Sequence, residues 1–428
     1  MQRISILFAA GAALALGASP AFAGTGAPTP AAVAAAKPQT GTWGIDLTAM
    51  DRSVRPGDDF YSFVNGGWNA RTTIPDDKLE VGGLAELQDK ALAQTRAILE
   101  EAAADANAPA GSERRKIGDW YASFMDEAAI EKAGFAPIAP ELAAIDAVKT
   151  RGQLLDLFAR NHGAVGAKPL VVGVDFDRNR IKRTIVSIDI APLSLGAREL
   201  YLEPPYAPVR DAQRAHIARL LKVAGFDDVE ARAKRVQDLE TKIAAITWTA
   251  ADLRDDLKKN NVMTVAELQR RAPGIDWAAY IARTGVGAPP ELIMSTPSSI
   301  TAMTKLVATE PLEAWQDYMR YMTVLGLSKY LPKAARDEVF EFYGRQLAGQ
   351  QAPGPRWIDG LLDLGNQSRP LADPLSKLYV ARHVPAAARP TIDAMIDNLM
   401  AAFDERLAKS PWMSPETRAA ARDKLSKV

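Results

Sequence analysis

The sequence predicts a mainly α fold, a large helical lobe with one small β-hairpin, and three observations carry that expectation. Apolar residues recur at helical spacing in segment after segment. Only residues 170–190 hold two consecutive β-rich runs. Near the end, Ser414-Pro415-Glu416 supplies an N-cap followed by Pro at the first helical position, a strong helix start.

The elements follow in order. Arg3, an apolar run from Ile4 to Ala18 and then Ala21-Phe22-Ala23 read as a secretory leader over residues 1–23, cleaved after Ala23. The run is shorter than the roughly 18 apolar residues of a membrane span, and no Cys follows it to carry a lipid. Export to a bacterial periplasm or beyond, without a stable membrane anchor, is the expectation. Residues 24–42, rich in Ala, Pro and Thr, form a flexible tether, and the globular body spans 43–428 from Trp43 onward.

Leu84, Leu87, Ala91 and Ile98 fall on one helix face. Thr150 caps a short helix carrying Leu154, Leu155, Leu157 and Phe158. Leu170 to Asp177 and Thr184 to Ile190 flank a polar Arg178-Asn179-Arg180 connection, the signature of a hairpin. Helical stripes resume at Ile217, Leu220, Leu221 and Ala224, then at Val229, Val236, Leu239, Ile243 and Ile246. Ile392, Met395, Ile396, Leu399, Phe403 and Leu407 form the clearest amphipathic helix. The helix after Ser414 has no Gly, Asn or Pro stop signal and is expected to run straight into Val428, as in a chain cut short.

Composition excludes several classes. The 428 residues carry 52 basic and 52 acidic side chains, which gives no attraction for nucleic acid or an anionic membrane surface. Hydrophobic content of 47 % and charged content of 24 % indicate a substantial core. There is no cysteine, so neither disulfides nor a thiol nucleophile contribute.

Zinc peptidase chemistry commonly needs two His one helical turn apart plus a carboxylate, with a Glu to activate the bound water. His162, His216 and His383 are far apart and none precedes a Glu, so neither catalytic nor metal-ligating residues are expected in this chain, nor a cofactor. His216 reads as a boundary residue of its helix, His162 as a helix-end residue and His383 as part of a surface connection before Pro385. Asp175-Phe176-Asp177-Arg178-Asn179 fails as a calcium loop, because Arg180 and Val186 stand where a Gly and a bidentate Glu are required. The doublets Asp58-Asp59, Asp76-Asp77, Asp227-Asp228 and Asp255-Asp256 suit caps and solvated loops. Gly285-Val286-Gly287 lacks a third glycine. Trp315, Tyr318, Tyr321, Phe340, Phe342 and Tyr343 stand at core spacing, although a peptide groove is the alternative. Arg356-Trp357 is read either as a clamp on a neighbouring lobe through stacking or a carboxylate fork, or as a local ion pair.

Asp58 to Trp68, DDFYSFVNGGW, followed by Ile74-Pro75, resembles the entry signature of the neprilysin-like M13 zinc endopeptidases. Its aromatic residues Phe60, Tyr61, Phe63 and Trp68 are expected around a turn at Asn65-Gly66-Gly67 that uses positive φ. Further blocks recur in the family's order: Trp120-Tyr121, Leu195-Gly196 with Arg198-Glu199-Leu200-Tyr201, Leu239-Glu240, Phe340 to Gly344, Arg356-Trp357, Leu378-Tyr379-Val380 and Trp412-Met413. The resemblance implies that this chain is similar to the N-terminal helical part of such an enzyme. Asp58, Phe60, Tyr61, Asn65, Gly66, Trp68, Arg356, Trp357 and Tyr379 are then structural signature residues.

The resemblance also implies zinc and peptide substrates for the full-length enzyme, with a catalytic domain following Val428 as partner. In some members, arginines in the first helical segment bind the substrate's C-terminal carboxylate. Here Glu80 and Gln88 stand at those substrate-cavity positions, and Glu80 would repel a carboxylate. The alternative is a non-catalytic periplasmic peptide-binding or scaffold protein derived from a peptidase.

Overall fold

The computed structural model describes residues 45–160, 168–180, 182–366 and 369–428. The leader, the tether, Trp43 and His162 lie outside the described residues. The chain forms two compact units, one of the described residues up to Gly82 with Glu127–Gly354, the other of Gly83–Asp126 with Pro355–Val428.

In the first unit, helices Ala207–Val223, Val229–Ile246 and Leu312–Leu327 pack on one another around Ile217, Leu220, Leu221, Val236, Ile243 and Met319, all sealed from solvent. The stripes read from sequence are these faces, and burying one such side chain contributes about 1.5–3 kcal/mol. Thr150 does cap the Arg151–Arg160 helix, its Oγ1 accepting from Gln153 N at 3.2 Å. That helix delivers Phe158 edge-on to Trp315, ring centroids 5.6 Å apart. Trp315, Tyr318, Tyr321 and Phe342 are core residues.

The hairpin is present as β1 (Leu170–Phe176) and β2 (Thr184–Ile190), antiparallel with Leu170 opposite Ile190 and Phe176 opposite Thr184. It belongs to a larger sheet than expected. β4 (Leu292–Met294) joins β2 in parallel and β3 (Val262–Met263) joins β4, giving the order β1-β2-β4-β3. Strands of two and three residues are too short to show a period of two.

The entry signature corrects a second expectation. Asn65-Gly66-Gly67 form no turn; they lie inside the Phe60–Arg71 helix, which Asp59 caps through Ser62 N. The glycines serve close approach instead of positive φ. A Cβ on Gly66 would stand 2.7 Å from Asp51 Cβ, and one on Gly67 2.9 Å from the Met50 carbonyl oxygen. Phe60 and Tyr61 are exposed on this helix.

The second unit packs helices Gly83–Ala104, Glu113–Met125, Arg356–Leu364 and Ala372–His383 around Ile98, Leu99, Ile117, Tyr121, Leu361 and Leu375. Gly118 permits the first crossing, since a Cβ there would fall 2.2 Å from the Ala102 carbonyl oxygen. Of the stripe read from Leu84 to Ile98, Ile98 is buried whereas Leu84 and Leu87 are exposed. The Ala388–Ala408 and Pro415–Leu425 helices pack on each other, tied by Arg422 to both oxygens of Asp404 at 2.5 and 2.8 Å. Ser414 caps the last helix as expected. That helix stops at Leu425, short of Val428, where the Ser426 N–H bonds back to the Arg422 carbonyl.

Candidate functional site

The residues singled out by sequence occupy three kinds of place. Glu80 is exposed in the segment that closes the first part of the first unit, and Gln88 is exposed on the Gly83–Ala104 helix of the second. Asp58 is exposed beside Arg55 at 3.5 Å, while Asn65 Nδ2 donates to the Tyr61 carbonyl at 3.2 Å. Trp68 is half-buried.

In the second unit, Arg356 is buried; its Nε donates to the Phe124 carbonyl at 2.8 Å and its guanidinium lies 4.3 Å from the Phe124 ring centroid. The stacking partner lies in the same unit, so this contact is not the clamp on a neighbouring lobe that the sequence suggested. Trp357 lies under Arg96, 4.9 Å from ring centroid to guanidinium carbon, and the Tyr379 hydroxyl donates to Gln94 Oε1 at 2.8 Å. These signature side chains bond helices together.

Two histidine expectations need correction. His216 is no boundary residue: it is fully buried, stacked on Phe342 at 4.7 Å, with Nδ1 3.0 Å from Glu338 Oε1. Burial pushes its pKa down against the opposing pull of Glu338. Glu338 is raised by its own burial, but bonds from His216 and Arg219 outweigh that and hold it low. His383 is the last residue of the Ala372–His383 helix, half-buried beside the Tyr379 ring at 5.1 Å.

One buried polar cluster was not foreseen. Glu240, fully buried on the Val229–Ile246 helix, accepts from Ser194 N at 3.1 Å, Ser194 Oγ at 2.8 Å, Tyr201 Oη at 3.0 Å and Gln213 Nε2 at 2.8 Å. Burial prevails over these four donors and raises its pKa. A sequence signal existed, because Glu240 stands four residues after Val236 and three before Ile243, on the apolar stripe itself. Chemically the cluster anchors the segment after β2; it presents nothing to a substrate.

Pockets add little chemistry. One of about 510 Å³ in the first unit is lined by Val148, Gln153, Asp156 and Arg283, the last two ion-paired. Another of about 430 Å³ in the second lies among Ala402, Arg406, Lys409 and Trp412. Among the described residues no three His, Cys, Asp or Glu side chains are placed to hold a metal ion. Among the same residues no helix is long and apolar enough to cross a membrane.

The fold is mainly helical with a small four-stranded sheet. The N-terminal family profile described as Peptidase family M13 matches residues 56–428, and the chain belongs to that family. It is 28 % identical to human endothelin-converting enzyme-like 1 over 395 residues, covering 88 % of this chain and 50 % of that protein. Human endothelin-converting enzyme 1 is 25 % identical over 398 residues, covering 89 % of this chain and 50 % of that one. Among solved structures, the Mycobacterium tuberculosis zinc metalloprotease Zmp1 in complex with inhibitor superposes with a TM-score of 0.81 at 33 % identity, covering 90 % of this chain and 58 % of that one. PepO from Lactobacillus rhamnosis HN001 shares the fold at 21 % identity, with a TM-score of 0.76 and coverage of 87 % and 59 %. The chain spans about half the length of the relatives it matches.

Proposed function

We propose that this chain is the substrate-cavity lobe of an exported M13 zinc endopeptidase, and that polypeptide beyond Val428 supplies the zinc-bearing catalytic segment. The observation that carries this reading is an uncovered apolar face. On the Ala388–Ala408 helix, Ile392, Met395, Ile396, Leu399 and Phe403 fall on one stripe and are each between 43 % and 59 % exposed. A stripe of that size at helical spacing is what a packed partner covers. Relatives about twice as long provide a source for that partner.

In this reading the full-length enzyme uses zinc to activate the water that cleaves peptides, and this chain's residues shape access to the site without touching the metal. Glu80 and Gln88 are, each in its own unit, substrate-cavity candidates by the family resemblance; the Glu80 carboxylate disfavours a substrate C-terminus, so a preference for C-terminal dipeptide release is not expected. The leader at 1–23 and the tether at 24–42 deliver and space the lobe. Sequencing the gene past codon 428 tests the assignment. An open frame encoding HExxH supports it; a stop codon there removes it in favour of a peptide-binding or scaffold protein.

A further inference from the structure

His216 sits in an aromatic box that belongs to an unusual helical segment. Phe342 stacks on the imidazole at 4.7 Å with an 11° interplanar angle, Tyr343 meets it edge-on at 5.5 Å and Tyr321 at 6.1 Å. Phe342 and Tyr343 lie in Phe340–Leu347, a π-helix. Such turns are rare and depend on surrounding packing. Tyr343 also donates from its hydroxyl to the Ser194 carbonyl at 3.1 Å. Just beyond, Gln351 N and Ala352 N both donate to the Asp76 carbonyl, at 3.0 and 2.8 Å, and Gln350 Nε2 donates to the Asp77 carbonyl at 3.0 Å. The π-helical turn therefore leads directly into a clasp on the loop after the entry signature.

Burial favours the neutral form of the ring and the Arg219 charge adds to it, against the pull of Glu338. Glu338, from the Lys333–Val339 helix, is already paired with Arg219, whose Nε lies 3.0 Å from each carboxylate oxygen. An ionised carboxylate only accepts, so His216 Nδ1 carries the proton it donates to Glu338, leaving Nε2 bare. Nε2 is buried without a hydrogen-bond partner among the described residues. The other packed elements bring Tyr318 and Tyr321 from the Leu312–Leu327 helix, Glu240 from the Val229–Ile246 helix, and Glu341 with Arg345 from the π-helix, these last two paired at 3.5 Å. A second proton on His216 makes two cations share Glu338 and adds an N–H at Nε2, which has no hydrogen-bond partner among the described residues.

We propose that His216 is a pH-sensitive latch: its neutral ring holds the π-helical turn through Phe342 and Tyr343, and its protonation releases that turn together with the clasp on Asp76. The burial that lowers the imidazole pKa below its ordinary 6.5 acts in the same direction. The latch's contribution is full above that ordinary value and is lost as pH falls through the folded-state value.

Hydrogen exchange of the full chain, corrected for intrinsic rates, tests this on peptides covering residues 340–352 from about pH 8 to about pH 4. Wild-type protection there is expected to fall by about tenfold with acidification while β1 and β2 stay protected. His216→Phe, an uncharged ring in the same box, abolishes that fall. Glu338→Gln keeps the shape, removes the charge that favours imidazolium, and moves the midpoint to lower pH. A flat wild-type profile, or an equal fall in His216→Phe, overturns the latch. If His216→Phe does not fold, an unshifted midpoint in Glu338→Gln overturns it instead.

Discussion

Arg356 lays its guanidinium 4.3 Å from the centroid of the Phe124 ring while its Nε donates to the carbonyl of the same residue at 2.8 Å. One side chain thus fixes both the backbone and the ring at the end of the Glu113–Met125 helix. Phe124 is held from other sides too, stacked on Trp120 at 5.2 Å and pressed against Gly360, where a Cβ would come within 2.8 Å of the ring. Truncating Arg356 to Ala removes a buried charge-assisted bond and the cation–π contact, and should cost about 2–4 kcal/mol. Gly360→Ala should cost about 1–3 kcal/mol by overpacking. Urea unfolding checks both; because the two share Phe124, the double variant should lose less than the sum.

Glu240 gives the opposite pH signature to His216. Its folded-state pKa is raised above the ordinary 4.5, so its contribution is full below that value and is lost as pH rises through the folded-state pKa. Glu240→Gln removes this titration. The stability of the variant relative to wild type should therefore improve as pH rises above about 4.5, read from unfolding curves at several pH values. A difference that stays constant with pH contradicts the raised pKa.

Gly67 tests the corrected view of the entry signature. Gly67→Ala forces a Cβ toward the Met50 and Thr48 carbonyl oxygens, at 2.9 and 3.0 Å, and should cost about 1–3 kcal/mol although its φ is ordinary. Faster proteolysis of the segment around residues 46–51 is the expected readout. A neutral effect would mean that this segment yields freely.

The uncovered stripe of the Ala388–Ala408 helix predicts poor solubility of the isolated chain. Leu399→Glu with Phe403→Glu should reduce self-association and apolar-dye binding while changing stability by no more than about 0.5 kcal/mol per site, since neither side chain is buried. Sedimentation and dye fluorescence check it. A wild-type chain that is monodisperse and melts cooperatively contradicts it.

Helix placement was legible wherever a stripe coincided with a cap, as at Thr150 with Leu154 and Phe158 or at Ser414-Pro415. The hairpin was legible because β1 and β2 are each seven residues long. Periodicity finds an apolar face but not what covers it: Ile217 faces a core, whereas the equally regular Leu399 faces solvent. β3 and β4 are too short to carry a pattern, and Phe340–Leu347 has no composition that distinguishes a π-helix from an α-helix. Of the candidate site, the Arg356-Trp357 block was legible as a family signature. The burial of His216 was not, because its partner Glu338 is 122 residues away.

The most direct measurement is the intact mass of the native protein, captured from the exported fraction of the source cells with an antibody to this chain, followed by a zinc-dependence assay of its peptidase activity. The account predicts a species far heavier than the 46.2 kDa of this chain, with peptide hydrolysis lost to a chelator and restored by zinc. A species slightly below that mass, with no peptidase activity, would contradict it and leave a peptide-binding or scaffold protein in its place.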